Sequence, residues 1–204
     1  TAHNLDFVAD IRHWLDLGIR RFSMEPVVAP PTTAIALASG DLPRLRQQYW
    51  QLAELALEQP FVFFHFLLDW QGGQCGARRA SGCGAGVEYV AVAPDGGIFP
   101  CHQFVGEASW QMGNVGTGIT APAIREGFMQ VGIDVKGECQ QCWARFHCGG
   151  GCHANAWWAN SRLDQPYELG CQLLRIRTEA ALYVKVKQAL RQNSSEEDTH
   201  GKAK

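Results

Sequence analysis

Residues 139–152 read Cys139-Gln-Gln-Cys142-Trp-Ala-Arg-Phe-His-Cys148-Gly-Gly-Gly-Cys152, four thiols in fourteen residues at spacings C-x2-C-x5-C-x3-C. Thiolates this close on one loop are seldom packing residues. They converge on one metal centre or divide between two centres that share the loop. We read the division: the loop joins two iron–sulfur clusters. Cys75, Cys83, Cys101 and Cys171 lie on both sides of it and supply the missing ligands. Eight cysteines make two four-thiolate sites with none left over.

The rest of the composition narrows the setting. A chain of 204 residues, 46% apolar, is long enough for one large or two small domains with a real core. A formal charge of −2 carries no nucleic-acid footprint, and no apolar run reaches the length of a membrane span. The opening Thr1-Ala-His-Asn-Leu has neither a methionine nor a basic-then-apolar signal, so the chain is expected to be a piece of something longer. Cysteines without a signal segment point to a reducing, cytoplasmic setting, where metal binding outweighs disulfides. Structural zinc stays open beside iron–sulfur, because all-cysteine zinc sites also use C-x2-C pairs.

Working outward, Asn4 to Leu17 has the spacing of an amphipathic helix, with Leu5, Val8, Ile11 and Leu15 inward and Gly18 as its stop. Arg21 to Glu25 reads as a short strand. Asp41 is expected to cap the next helix, with Pro43 in its first turn and Leu45, Tyr49, Leu52 and Ala56 inside. Phe61 to Leu68 has the continuous apolar character of a buried parallel strand. Helix, strand, helix, strand is the order of βα units. After Gly72-Gly73 the chain turns rich in Gly and Cys. Pro94-Asp-Gly-Gly97 predicts a hairpin between Val87–Ala93 and Ile98–Cys101, which would set Cys101 at the end of a rigid ribbon. Short helices are expected at Ala121–Val131 and from Ala154 to Asn160. A final helix is expected over Leu173–Leu190, followed by a disordered polar tail.

The outer cysteines extend the pattern to C-x12-G-x4-C, gap, C-x2-C-x5-C-x3-C, gap, C, with Cys83, Gly96, Cys101 and Cys171 in register. This resembles the seven-cysteine SPASM extension of radical S-adenosylmethionine enzymes. Further stretches resemble the maturases of six-cysteine ranthipeptides (SCIFF peptides). They are Gly82-Cys-Gly-Ala-Gly-Val-Glu-Tyr89, Pro100-Cys-His-Gln-Phe-Val-Gly106, Met112-Gly-Asn-Val115, Cys142 to Cys152, and Ser23-Met-Glu-Pro-Val-Val-Ala29.

The resemblance implies an α/β then α+β fold, the C-terminal remnant of a partial (β/α)6 radical SAM barrel followed by a SPASM domain with a β-hairpin and short helices. Its boundaries would fall at 1–71 for the barrel part, 72–190 for the SPASM domain and 191–204 for a disordered tail. It implies two auxiliary [4Fe-4S] clusters. Cys139, Cys142, Cys148 and Cys171 would hold the outer one. Cys83, Cys101 and Cys152 would hold the inner one, with Cys75 as the natural fourth ligand. If Cys75 is only a buried thiol, an iron stays open for a substrate thiol, as in some relatives.

Gly84, Gly86 and Gly149 to Gly151 are expected to bring backbone N–H groups toward sulfur, or simply to make turns. Trp143, Phe146, Trp157 and Trp158 would exclude water or serve as plain core. No C-x3-C-x2-C motif occurs, so this chain alone is expected not to cleave S-adenosylmethionine; that cofactor and a third [4Fe-4S] cluster belong to the longer parent. By resemblance, the parent is an enzyme that abstracts hydrogen from a peptide carbon through a 5′-deoxyadenosyl radical, after which a cysteine sulfur bonds to that carbon. The inner cluster would bind the substrate thiolate and the outer one relay electrons. The partners implied are a cysteine-rich precursor peptide and a donor such as ferredoxin or flavodoxin, with no nucleic acid and no membrane.

Sulfatase-maturing relatives carry an Asp directly after the cysteine matching Cys101, where it can serve as a base; here that residue is His102. His102 is a candidate base, against a supporting or surface role. Glu25, at a strand end, is a candidate contact to cofactor or substrate, against an ion pair with Arg20 or Arg21. His65, Asp69 and His147 default to structural roles. Three functions are weighed: a thioether-forming peptide maturase, another SPASM enzyme (sulfatase-maturing, epimerising or carbon–carbon coupling), and a non-catalytic electron-transfer module. The βα units before residue 70 argue against the last.

Overall fold

A computed structural model of the chain describes residues 1–68 and 80–201, with side chains as far as residue 193. Asp69, Cys75 and the Gly72-Gly73 transition therefore lie outside the described residues. The chain forms two compact units.

The first unit takes Thr1–Val27, Leu37–Gly76 and Gln172–Lys204. Helix α1 (Phe7–Asp16) buries Phe7, Val8, Ile11 and Leu15. It stops at Gly18, whose φ of +85° lets its own N–H and that of Ile19 turn back to Leu15 O and Trp14 O. Strand β1 (Arg21–Phe22) follows, then α2 (Leu42–Glu58), then β2 (Val62–Phe63), which pairs parallel with β1, Arg21 opposite Val62. The continuous apolar strand expected over Phe61–Leu68 is only two residues long, and Phe64–Phe66 folds into a 3-10 turn.

Two local expectations resolve differently. Asp41 does not cap α2 with its side chain. Its carboxylate instead accepts the Ala38 N–H at 2.8 Å. The first turn of α1 has N–H groups with no partner inside the helix. One of them, Val8 N, donates to the buried Gln48 Oε1 at 3.0 Å, so a polar side chain on α2 serves the start of α1.

The second unit takes Val28–Ala36 and Ala77–Cys171. Four short strands form an antiparallel meander: β3 (Ala91–Val92), β4 (Gly97–Phe99), β5 (Gly113–Asn114) and β6 (Gly118–Ile119). The expected hairpin is the β3–β4 turn, closed by Gly96 N donating to Ala93 O, with Asp95 Oδ1 accepting from Gly97 N. Helix α3 (Pro122–Met129), single turns α4 (Gly137–Gln140) and α5 (Arg145–Cys148), and α6 (His153–Asn160) follow. Their core is Ala85, Phe99, Cys101, Phe104, Phe128 and Ala154.

The last helix, α7 (Glu168–Gly201), begins earlier and ends later than Leu173–Leu190. Its turns reach Gly201, through most of the segment expected to be disordered, where Arg191, Gln192, Glu196 and Glu197 are compatible with helix. Leu173, Ile176, Ala180, Ala181 and Val184 join the core of the first unit, so the helix from Gln172 onward falls with Thr1–Val27 and Leu37–Gly76 rather than with Ala77–Cys171.

Candidate functional site

All seven described cysteines are thiols rather than disulfides, and all seven belong to the second unit. They fall into two groups. Cys83, Cys101 and Cys152 act electrostatically on one another, and Tyr89 lies within reach of all three, its Oη 3.3 Å from Cys83 Sγ. Cys139 feels Cys148 and Cys142, and Lys136 feels Cys139, Cys148 and Cys171. The Gly149-Gly-Gly151 run joins one group to the other.

Local geometry explains the inner group. Cys101 follows β4, as the hairpin suggested, and stands at the N-terminus of a 3-10 turn, His102–Phe104. Cys152 stands at the N-terminus of α6. Burial raises the Cys101 thiol above its ordinary range, and crowding by surrounding protein raises Cys152 as well, although the Cys152 side chain is exposed. The N–H groups of Gln103 and Phe104 at Cys101, and of Asn155 and Ala154 at Cys152, pull the other way. Such helix-start N–H groups favour a thiolate. The Tyr89 phenol is pushed up by its partial burial and then by its bond to Cys83.

The outer group rests on two single turns. Cys142 N donates to Cys139 O at 3.1 Å, and Cys148 ends α5. Burial raises Cys139, the Lys136 ammonium lowers it, and Cys148, Cys142 and Glu138 raise it. Gly149, Gly150 and Gly151 all have φ between +73° and +97°, which side-chain-bearing residues rarely adopt, so this sharp reversal between Cys148 and Cys152 needs glycine.

Not every expectation about this region holds. The Gly86 N–H donates to Tyr89 O and Pro100 O, and the Gly149 N–H to Arg145 O, so these two are not aimed at sulfur. Trp143 and Phe146 are 56% and 42% exposed and form no water-excluding wall. Trp157 and Trp158 pack on the second core. His102 is exposed, with its Nε2 accepting from Gln103 Nε2 at 2.9 Å. His153, which sequence reasoning passed over, is buried against Phe128; burial and the Lys136 charge push it down to about 4.

Glu25 is in the first unit. Its partners are not Arg20 or Arg21: His65 Nε2 lies 2.8 Å from Oε1, and Arg177 Nη1 lies 3.9 Å from Oε2. Arg20 instead donates to Leu15 O at the end of α1. His65, for which the sequence suggested no partner, thus gains an ion-pair neighbour, although its ring N–H is not aligned as a donor. Beside Glu25 lies a small pocket of about 70 Å³ that Met24, Leu45, Tyr49 and Leu173 help to line.

The His65 contact is the main cause that holds the Glu25 carboxyl below its usual range. A carboxyl lowered by folding stabilises the protein above the unfolded value and loses that contribution as pH falls through the folded value. Glu25→Gln is therefore expected to cost stability at pH 7, by less than about 1 kcal/mol because the group is largely exposed. The gap from the parent chain should narrow as pH falls through the lowered Glu25 range, and urea midpoints at neutral and acidic pH check it. A gap that does not change with pH would separate Glu25 from this ion pair.

Among the described residues no three His, Cys, Asp or Glu side chains converge tightly enough for a single metal ion. Sulfurs around one tetrahedral zinc lie about 3.8 Å apart, given a Zn–S bond of about 2.3 Å. A four-iron cube is a wider object with a wider ligand cage. Grouped soft thiolates without disulfides are the donor set that such clusters take. In donor chemistry the thiols present fit such a group.

No protein-family model and no curated protein matches the chain. Solved structures do match it. Hexahistidine-tagged anSMEcpe with bound AdoMet superimposes with a TM-score of 0.64 at 16% identity, over 94% of this chain and 53% of that one. Native anSMEcpe with bound AdoMet and the Kp18Cys peptide gives 0.59 at 17% identity, over 89% and 53%. Over most of its length the fold of the chain resembles that of these two AdoMet-bound structures. It spans about half the length of the structures it matches, 53% in both cases. No helix among the described residues is long and apolar enough to cross a membrane.

Proposed function

We propose that this chain is the C-terminal portion of a radical S-adenosylmethionine peptide-modifying enzyme that forms thioether cross-links in a cysteine-rich precursor peptide. In this reading the parallel β1–β2 pair with its helices is the last part of a partial barrel, and the second unit is the SPASM domain. Cys139, Cys142, Cys148 and Cys171 hold the outer [4Fe-4S] cluster. Cys83, Cys101, Cys152 and Cys75 hold the inner one. The observation that carries the proposal is the meeting of two thiol groups on one glycine-linked loop, in a chain with the fold of an AdoMet enzyme.

When bound, such clusters supply iron sites for a thiolate and a store for electrons. The chain's own residues do the holding. Cys101 and Cys152 present sulfur at helix starts, where N–H groups favour its charge. Tyr89 Oη keeps a polar hydrogen at Cys83. Phe104, Phe128 and Trp110 pack behind the inner group and keep water from that side. A peptide partner is consistent with the peptide in the anSMEcpe complex. An external electron donor and a cytoplasmic location complete the reading.

A second reading is a sulfatase-maturing enzyme, favoured by the nature of both neighbours. His102, in place of the Asp found in such relatives, weighs against it. Anaerobic reconstitution with iron and sulfide tests the metal assignment. About eight irons per chain are expected from two cubes. One zinc per four thiols, with no charge-transfer absorbance, would end it. Between the two enzymes, the parent protein should convert a cysteine-rich peptide to a product two hydrogens lighter that resists thiol alkylation. Conversion of a sulfatase peptide instead would choose the second.

A further inference from the structure

Lys136 is the only lysine or arginine with a buried side chain among the described residues, and its exposure is 0%. A buried ammonium is costly unless negative charge or hydrogen bonds surround it. Its Nζ donates to Gly150 O at 2.9 Å, at the middle of the loop between Cys148 and Cys152. Its own carbonyl accepts the Cys139 N–H at 2.9 Å, so its backbone begins the turn that carries the first outer thiol. A Cβ built on Gly150 would stand 3.5 Å from both Lys136 Cδ and Nζ, so the side chain lies flat along the glycine loop. The groups that feel its charge come from several elements: Cys139, Cys148 and Cys171 of the outer group, Cys152 of the inner group, Asp164 and His153.

The charge at that position is balanced only when the thiols are ionised. Four thiolates on a cube of charge +2 leave a net −2, and two such groups share one short loop. Their mutual repulsion in a low-dielectric surrounding is substantial. One fixed positive charge between them offsets part of it.

We propose that Lys136 is the shared counter-ion of the two cluster sites, a positioning residue that ties the glycine loop through Gly150 and makes both clusters, the outer one most, easier to hold and to reduce. The inference rests on the cluster reading above. It predicts that the same lysine is a burden while the thiols are uncharged, since a buried ammonium can be replaced by an apolar side chain of similar shape without loss.

The test uses the 204-residue chain with Lys136→Met, Lys136→Gln and Lys136→Arg. Without metal, Lys136→Met is expected to be as stable as the parent chain or more so by urea unfolding. After reconstitution it should release outer-site iron to a chelator about tenfold faster and show a more negative midpoint potential by electron paramagnetic resonance. Lys136→Gln, which keeps a polar amide one bond short of Nζ but no charge, should follow Met in potential. Lys136→Arg should restore the potential. Equal potentials and release rates in all four proteins would overturn the proposal and leave the cluster reading standing. A metal-free Lys136→Met that is unfolded or strongly destabilised, with Lys136→Gln unchanged in potential, would reduce the lysine to a structural strap and also overturn it. A parent chain that binds no iron would remove the cluster reading and this inference together.

Discussion

Replacing Cys142 with alanine is expected to take about half the iron from the reconstituted chain, leaving about four irons where the parent holds about eight. The effect should be this large because a cube held by three thiolates has one unprotected iron and no neighbouring cysteine to substitute. Cys142 follows the single turn that carries Cys139, with its N–H on the Cys139 carbonyl. The inner group has no residue in that turn and should keep its iron. The first turn of α7, which carries Cys171, should exchange its amide hydrogens faster once its sulfur has no cluster to bind. Iron and sulfide analysis checks the first part and hydrogen exchange the second. Full iron content in Cys142→Ala would take this residue out of the site and with it the outer ligand set.

Phe104→Ala is expected to destabilise the second unit by about 3–5 kcal/mol, the range for removing a large aromatic side chain from a core. Phe104 is 0% exposed and packs its ring against Trp110 and Phe128, with centroids 4.7 and 5.8 Å away. It is also the third residue after Cys101, and its N–H is one of those that favour the Cys101 thiolate. A domain has only about 5–15 kcal/mol in total, so the variant should unfold at markedly lower urea and bind iron poorly at the inner site. Urea unfolding followed by tryptophan fluorescence measures it. A loss below about 1 kcal/mol would mean that the cavity collapses and the aromatic cluster does not support the cysteines.

The parts of this protein legible from residue order are those set by short-range geometry. The apolar spacing of Leu5, Val8, Ile11 and Leu15, stopped by Gly18, foretold α1 nearly to its end. Pro94 to Gly97 foretold a hairpin that ends near Cys101. The apolar run at Phe61–Leu68 misled because Phe64–Phe66 curls into a 3-10 turn, and a run of apolar residues does not distinguish a strand from a buried turn. For an ion pair, residue order offers Glu25 only its neighbours Arg20 and Arg21, whereas its partners His65 and Arg177 arrive from distant segments. Of the two roles expected for the glycines near the cysteines, turn-making is the one Gly86 and Gly149 serve, since their N–H groups answer nearer carbonyls rather than sulfur.

Residue order alone determined the approximate positions of α1, α2 and the β3–β4 hairpin and the spacing of thiols along the shared loop, because covalent distance and side-chain period act locally. It could not determine which unit α7 would pack with, that Lys136 would be buried beside Gly150, or that Cys101 and Cys152 would both stand at helix starts beside Cys83. Those outcomes depend on where segments far apart in the chain come together. Burial and charge at a site are sums over whatever surrounds it, and only the folded chain supplies that neighbourhood.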